Sequence, residues 1–262
     1  MPLSFHLFGP FSVHLYGFFI FLGVVALLYA LRKDAIIRTS MRPDQLYNLT
    51  TYGIIGGVVG GKLLYLFEYA TGFSTFFEEL PFWQGGFSVL GTILGVACVV
   101  IGYLYQQKLP FFTIGDRIAL YTPLAQALGR IGCFYAGCCH GLPTNHLLSV
   151  IYTDPESLAP LYRPLIPTQV ISSLCLCVIF LFLRWQQKKF KNPGQLLAFF
   201  MMWIALERFA IDFLRADRTL VFGPLSLIQM VAIGIFVIGQ ILFYISKKHS
   251  FSFFAPKNNE RF

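Results

Sequence analysis

Hydrophobic residues along the chain fall into seven long runs, each close to the length that crosses a bilayer. A helix that spans the hydrocarbon core needs about 20 predominantly apolar residues. The runs cover residues 15–31, 49–69, 87–105, 118–134, 168–183, 195–214 and 222–246. We therefore predict an all-α, polytopic membrane protein with seven transmembrane helices, folded as a single membrane domain over residues 1–262.

The basic residues between these runs predict the orientation in the membrane. Lys and Arg concentrate after the odd-numbered runs, in segments 32–42, 108–117, 184–191 and 247–261. Because positively charged loops stay on the cytoplasmic side, we expect an N-out/C-in orientation. The proline-rich segment 135–167, between the fourth and fifth helices, then lies on the outer face as an arm.

The composition agrees with this interpretation and limits the possible partners. Only 12% of the 262 residues are charged, whereas 56% are hydrophobic, and a typical soluble domain is about 25% charged. The formal net charge of +8 follows the membrane topology and forms no basic stripe with interleaved aromatics. We therefore expect membrane lipids as partners and no nucleic acid.

Residues 129–144 are the most unusual stretch, since they place an arginine, four glycines, three cysteines and a histidine next to an apolar run. A charge at the bilayer centre costs roughly 2.5–3.5 kcal/mol, and such residues usually face a partner or a wet cavity. The basic residues inside or at the outer ends of the runs are Lys62, Arg130, Arg208 and Arg215.

Two interpretations of the buried arginines stay open. In one, Arg130 and Arg208 form structural ion pairs, Arg130 with Glu207 and Arg208 with Asp212 four residues further along its helix. In the other, both arginines converge on a phosphate, because a guanidinium binds phosphate oxygens through two parallel hydrogen bonds. The bases outnumber the acids in the runs, and an anionic phospholipid headgroup would supply the missing charge.

Paired glycines mark two further places. Those between Gly56 and Gly61 lie inside the second run, where small residues allow two helices to approach closely. Gly85 and Gly86 precede the third run, and the freedom of glycine favours a loop at the membrane interface there.

These residues resemble, in chain order, the motifs of the prolipoprotein diacylglyceryl transferase family. The family signature begins Gly-Arg-Ile-Gly-Asn-Phe and continues to Gly-Arg-Pro-Thr, and residues 129–134 and 141–144 are similar to it. Further similarities lie at residues 14–17, 60–69, 85–91, 115–116, 167–169 and 207–215. The resemblance extends over about residues 9–245.

The resemblance implies a seven-helix enzyme of the bacterial inner (cytoplasmic) membrane, with the arm in the periplasm. Such an enzyme transfers diacylglyceryl from phosphatidylglycerol to the lipobox cysteine thiol of a preprolipoprotein and releases glycerol phosphate. It needs no cofactor. By position, Arg130 and Arg208 would hold the phosphate and stabilise charge on the leaving group. Tyr16 and Tyr65 would line the lipid site, and Asp212 and Arg215 would support Arg208. The other expected substrate-binding residues are Lys62, Gly85, Gly86, Gly129 and Gly141.

This chain departs from the family pattern at several positions. Where the family has the histidine often assigned as the base, an asparagine, a glutamate and a second arginine, this chain has Leu90, Cys133, Cys138 and Leu142. Loss of a general base typically costs about 10²–10⁴-fold in rate, and His140 and His14 are the candidates to replace it. Two alternatives stay open: a divergent paralogue with another acceptor, and a non-catalytic phospholipid-binding or transport protein.

The cysteines allow several roles. Cys133, Cys138, Cys139 and His140 are zinc-type ligands, but their spacing is not a common structural pattern and adjacent cysteines would rarely both bind one ion. We therefore expect no metal here, and a disulfide on the outer face or a packing role stays open. The other cysteines, in apolar runs, are expected to act as small hydrophobes: Cys98, Cys175 and Cys177.

Overall fold

The structure is a computed structural model that describes residues 4–8, 11–69 and 86–248. Within these ranges the α-helices are α1 (Leu15–Lys33), α2 (Ala35–Ser40), α3 (Pro43–Tyr69), α4 (Val89–Gln106), α5 (Phe111–Ala136), α6 (Thr168–Gln186), α7 (Gln195–Asp212) and α8 (Leu227–Lys248). Three antiparallel strand pairs accompany them: β1 (Ser4–Phe8) with β2 (Phe11–His14), β3 (Val150–Ile151) with β4 (Pro164–Leu165), and β5 (Leu220–Phe222) with β6 (Leu225–Ser226).

Each of the seven predicted runs coincides with one of the long helices, so the chain is a mostly helical, multi-pass membrane protein. In the part of the chain that the structure describes, α1, α3, α6 and α8 are long and apolar enough to cross a membrane, and α4 is a shorter apolar helix. Large apolar side chains such as Phe21 and Phe67 point outward, as lipid-facing residues do. The count of seven spans and the N-out/C-in orientation stay predictions.

The chain forms two compact units. Of the described residues, the first contains 4–8, 11–33 and 115–248, and the second contains 34–69 and 86–114. Helices α1, α6, α7 and α8 and nearly all of α5 therefore belong to the first unit, while α2, α3 and α4 belong to the second. The single membrane domain predicted from the sequence stays a prediction.

In the second unit, α3 and α4 pack with their backbones in contact. A Cβ added at Gly60 would lie 2.5 Å from the carbonyl oxygen of Gly91 and 2.8 Å from Cα of Gly95. The Ser88 N–H donates to the Gly61 carbonyl at 3.0 Å, which joins the start of α4 to α3. These contacts confirm that the glycines from Gly56 to Gly61 serve helix packing.

Replacing Gly60 with alanine should destabilise the α3–α4 pair, because the atoms in the way belong to the backbone and cannot move aside. We expect a loss of about 1–3 kcal/mol, the usual effect of overpacking, measured by thermal or denaturant unfolding in detergent. Gly53→Ala on the same helix is the matched control, since its Cβ would meet nothing within 4 Å. That control should be neutral or slightly stabilising, and equal losses in both variants would contradict the packing argument.

In the first unit, glycines again set the closest helix approaches. A Cβ at Gly23 of α1 would lie 2.8 Å from the carbonyl oxygen of Ala125 on α5, and one at Gly132 of α5 would lie 3.0 Å from that of Tyr16. Helices α1 and α5 are therefore in close contact, which brings Tyr16 to the end of α5.

The carboxylate of Asp116, near the start of α5, holds the N-terminus of α7. It accepts hydrogen bonds from the backbone N–H groups of Gly194 at 2.9 Å and Leu197 at 2.7 Å. Gly194 offers no capping side chain of its own, so Asp116 satisfies N–H groups that a helix start leaves free. This contact ties α7, which carries Arg208, to α5, which carries Arg130.

The irregular segment predicted at residues 135–167 lies between α5 and α6. Because α5 continues to Ala136, the arm covers residues 137–167 in the structure. Strands β3 and β4 pair in it, and Tyr152, Ala159 and Leu165 form a small buried cluster. Burial raises the pKa of Tyr152 to about 12, so its hydroxyl stays protonated and donates to the Phe134 carbonyl at 2.9 Å. The arm is thereby held against the end of α5.

Candidate functional site

Arg130 lies near the end of α5 and is only 8% exposed. Among the described residues, no hydrogen bond or ion pair satisfies its guanidinium. The ion pair with Glu207, one of the two interpretations left open by the sequence, is not formed: one oxygen of that carboxylate accepts from the Ser172 hydroxyl, and the other lies 3.7 Å from Nε of Arg208. A buried arginine left without an acid is the arrangement expected of a group that binds an anionic ligand.

Several charged and polar side chains lie within electrostatic reach of Arg130. Its charge acts on Glu207, on the thiols of Cys133 and Cys139, and on the Tyr16 hydroxyl. Arg215 also acts on Glu207 and Cys139. The start of α1, the end of α5, the turn after it and the end of α7 with the residues that follow it therefore contribute to one site.

The expected pair of Arg208 with Asp212 is not formed. The Asp212 carboxylate is fully buried and accepts hydrogen bonds from Nε of Arg218 at 3.1 Å and from the Ser226 hydroxyl at 2.6 Å. Arg218 also donates to Oε1 of Gln229 at 3.0 Å. Asp212 therefore fastens the loop after α7 to the start of α8, and its described contacts do not include Arg208.

Arg215 is held by an acid of its own. Its Nε and terminal nitrogen donate to the two oxygens of Asp217 at 2.8 and 2.7 Å. These hydrogen bonds raise the pKa of Arg215 above its usual range, so the side chain stays positively charged beside the site.

The segment around Gly141 joins the arm to the end of α7. Leu142 N–H donates to the Leu214 carbonyl at 2.9 Å, and the His140 carbonyl accepts from Ala216 N–H at 3.1 Å. A Cβ on Gly141 would lie 2.6 Å from the Ile166 carbonyl oxygen, so only glycine fits. His140 is half-buried, with Nδ1 3.2 Å from the Gly141 carbonyl oxygen, and it lies next to the site. The side chain of the other base candidate, His14, is outside the described part.

Three cysteine thiols meet at the end of α5. The Sγ atoms of Cys133, Cys138 and Cys139 all lie within 4.8 Å of one another, and all three are half-buried free thiols. The side chains of adjacent residues usually point apart. Here the thiols of Cys138 and Cys139 point toward each other, because the backbone of Cys139 takes the left-handed conformation, with a φ of 58°. The Cys138 thiol donates to the Cys133 carbonyl at 3.7 Å. The neighbouring thiols, together with the charges of Arg215 and Arg130, lower the pKa of Cys139.

Two residues at the start of α6 hold this turn from behind. The Thr168 hydroxyl donates to the Cys139 carbonyl at 2.7 Å, and the Gln169 amide donates to the Cys138 carbonyl at 2.8 Å. Sequence reasoning noted both residues as a family match at residues 167–169 and assigned them no role. Ser172, one turn later, was missed altogether, and its only signal is that it is a polar residue inside an apolar run.

Lys62, Tyr65 and Gly86 form a separate group in the second unit. Lys62 is buried, with its Nζ 5.5 Å from the ring centroids of both Tyr65 and Phe87, distances at which a cation is attracted to an aromatic face. Gly86 has a φ of 67°, and a Cβ there would lie 2.5 Å from Cε1 of Tyr65. Gly85 lies outside the described residues.

Two positions singled out from the sequence, Gly129 and Leu90, are not closely packed against other residues of the described chain. A Cβ on Gly129, beside Arg130, would meet no atom of the described chain within 4 Å. Leu90, where the family has its histidine, is 49% exposed on α4 and has no titratable group.

The chain is a mostly helical multi-pass membrane protein with a buried arginine that forms no ion pair with an acid among the described residues. More specifically, the chain belongs to the prolipoprotein diacylglyceryl transferase family, whose model matches residues 2–245.

Curated relatives cover nearly the whole chain. A phosphatidylglycerol–prolipoprotein diacylglyceryl transferase of Clostridium tetani is 33% identical over 246 residues, which are 94% of this chain and 98% of the relative. The Clostridium perfringens protein with the same name and the number 2 is 34% identical over 90% of this chain and 92% of its own. The Bordetella parapertussis transferase is 32% identical over 92% and 93% respectively.

Proposed function

We propose that this protein transfers the diacylglyceryl group of phosphatidylglycerol to the lipobox cysteine thiol of a preprolipoprotein. It does so in the bacterial inner membrane, with seven spans, the N-terminus outside and the arm in the periplasm. The observation that carries the proposal is Arg130, a buried arginine at the family's signature position that has no acidic partner among the residues the structure describes.

The chemistry explains why arginines are needed. When the bond between the glyceryl carbon and the phosphate oxygen breaks, the leaving glycerol phosphate gains negative charge. Fixed cations beside those oxygens stabilise that charge in the transition state more than in the ground state. Arg130 and Arg208 hold the phosphate through their planar guanidinium groups, and Arg215 adds positive charge from the end of α7.

The other site residues have supporting roles. Tyr16 and Gly129 line the lipid path at the α1–α5 contact, and Gly141 keeps His140 and Arg215 at the site. In the second unit, Lys62, Tyr65 and the loop of Gly85 and Gly86 bind lipid. Asp212 acts indirectly, by fixing the chain between α7 and α8.

The direct test is transfer by the purified protein in nanodiscs that contain phosphatidylglycerol. A lipobox peptide is the acceptor, release of glycerol phosphate is the readout, and the same peptide with serine for cysteine is the control. Release that depends on the cysteine supports the proposal. Release with the serine peptide would indicate another acceptor, and tightly bound phosphatidylglycerol without release would indicate a lipid-binding protein.

A substitution at Gly129 tests whether the open space beside Arg130 is the lipid path. We expect Gly129→Leu to fold, because the Cβ of the new side chain would meet no described atom within 4 Å, and to raise KM for phosphatidylglycerol severalfold by occupying the path. Gly102→Leu is the matched control, since Gly102 on α4 is equally open. If both variants keep the wild-type KM, Gly129 does not face the lipid.

A further inference from the structure

We propose that Cys133, Cys138 and Cys139 bind one Zn²⁺ ion and leave its fourth position open for the acceptor thiol. The second part of this proposal rests on the proposed function, and the first part does not. The sequence favoured no metal at this place, because adjacent cysteines rarely share an ion. The structure removes that objection, since the left-handed conformation of Cys139 turns its thiol toward that of Cys138.

The geometry suits a zinc ion. Zinc–sulfur bonds of about 2.3 Å in a tetrahedral site put the sulfur atoms about 3.8 Å apart. The three Sγ atoms lie within 4.8 Å of one another, so ordinary side-chain rotations bring them to that separation. Among the described residues, no carboxylate or imidazole joins the group, and a purely thiolate set selects a soft ion such as zinc.

The site is also held in place independently of a ligand. Thr168 and Gln169 donate hydrogen bonds to the carbonyls of Cys139 and Cys138. Gly137 has a φ of 73°, and a Cβ there would lie 3.0 Å from the backbone nitrogen of Ala159. The turn therefore presents its thiols with little freedom.

The surrounding charges favour the loaded state. Three thiolates and one Zn²⁺ ion carry a net charge of −1, and the guanidinium groups of Arg130 and Arg215 both act on Cys139. Arg215 is already paired with Asp217, so Arg130 is the cation that offsets the charge of the zinc–thiolate centre, whereas an isolated buried anion would have no such partner. Three protein ligands with an open fourth position are the pattern of catalytic zinc sites, while structural zinc sites are closed by four.

The open position explains how this chain works without the family histidine. The acceptor thiol binds the zinc and releases its proton to solvent, because a thiol that coordinates zinc is deprotonated. Its sulfur then attacks the glyceryl carbon of phosphatidylglycerol, and the carbon–sulfur bond forms as the bond from that carbon to the phosphate oxygen breaks. The electron pair leaves with glycerol phosphate, held by Arg130 and Arg208. The thioether product is a weaker ligand and dissociates.

The metal is tested first, without any assay of activity. The full chain, purified in detergent without chelators, should contain about one zinc per molecule by elemental analysis. Cys133→Ser, Cys138→Ser and Cys139→Ser should each lose most of it, and Cys175→Ser, a thiol on α6, should retain it. Cobalt exchanged for zinc should give a thiolate charge-transfer band and tetrahedral visible bands. Unfolding curves of all variants distinguish loss of a metal ligand from loss of the fold. In the wild-type protein, added zinc should protect the three thiols from alkylation, which tests the site without any substitution.

The outcomes separate the two parts of the proposal. Metal-free protein with three alkylatable thiols, a disulfide within the cluster by mass spectrometry, or copper in place of zinc would overturn the zinc site. If zinc is bound, a chelator should reduce transfer to a lipobox peptide by about 10²–10⁴-fold, the usual effect of losing thiol activation, and zinc should restore it. Bound zinc with transfer unaffected by its removal would overturn the activation role alone. Bound zinc in a protein that transfers nothing would overturn the proposed function and leave the metal site standing.

Discussion

Arg130→Ala should lower kcat for diacylglyceryl transfer by about 10²–10³-fold, the usual effect of removing a fixed group that stabilises charge in a transition state. The reason is that Arg130 is buried and has no acidic partner among the described residues, so its charge is available to the phosphate. The measurement is release of glycerol phosphate from phosphatidylglycerol in nanodiscs, with a lipobox peptide as acceptor.

Two further variants make this result specific. Arg130→Lys keeps the positive charge but loses the planar guanidinium group that forms two parallel hydrogen bonds. Its kcat should therefore lie between those of the wild type and the alanine variant. Arg163→Ala, which removes an exposed arginine of the arm, should keep wild-type turnover. If Arg130→Ala transfers at the wild-type rate while it remains folded, the assignment of Arg130 to the phosphate is wrong.

Asp212→Ala should destabilise the first unit by about 3–5 kcal/mol, the range for breaking a buried charge pair. Asp212 is 1% exposed and binds both Arg218 and Ser226. Its removal leaves a partly buried guanidinium without its acid and releases the loop that leads into α8. Denaturant unfolding in detergent measures the loss, and turnover should fall with it because the end of α7 carries Arg215.

The control is Asp44→Ala, which breaks an exposed ion pair near the start of α3. Asp44 pairs with Arg42 at 2.9 Å, but the two side chains are 59% and 73% exposed, and exposed ion pairs contribute only about 0–1 kcal/mol. A clear difference between the two aspartates is therefore expected. Equal, small losses would mean that the pair of Asp212 with Arg218 does not hold α7 and α8 together.

The helices could be predicted from hydrophobic runs because apolar side chains must cover the length of a span. The run at 15–31 corresponds to α1, and that at 168–183 to α6. The residues at which the helices begin and end were less predictable. The run at 222–246 begins in β5, seven residues after Arg215, and α8 starts only at Leu227, because an apolar residue satisfies a hydropathy pattern equally in a strand or a helix.

The arginine pairing could not be predicted from spacing. Residues four apart on a helix are neighbours, and so Asp212 was expected to pair with Arg208. Arg218 and Ser226 reach Asp212 from the loop beyond the helix, and they take the carboxylate. Spacing along one helix shows which partners are within reach, and it says nothing of competitors that the chain brings from further away.

The sequence alone determined the helical membrane fold, the family and the central place of Arg130, because each depends on a linear property: run length, motif order, or a charge within apolar residues. Only the tertiary structure decided which acids the arginines bind, that Gly129 is open while Gly141 is closely packed, and that three thiols meet. These features depend on contacts between segments far apart in the chain and on one backbone angle at Cys139. A pattern of residue types does not record such contacts or angles.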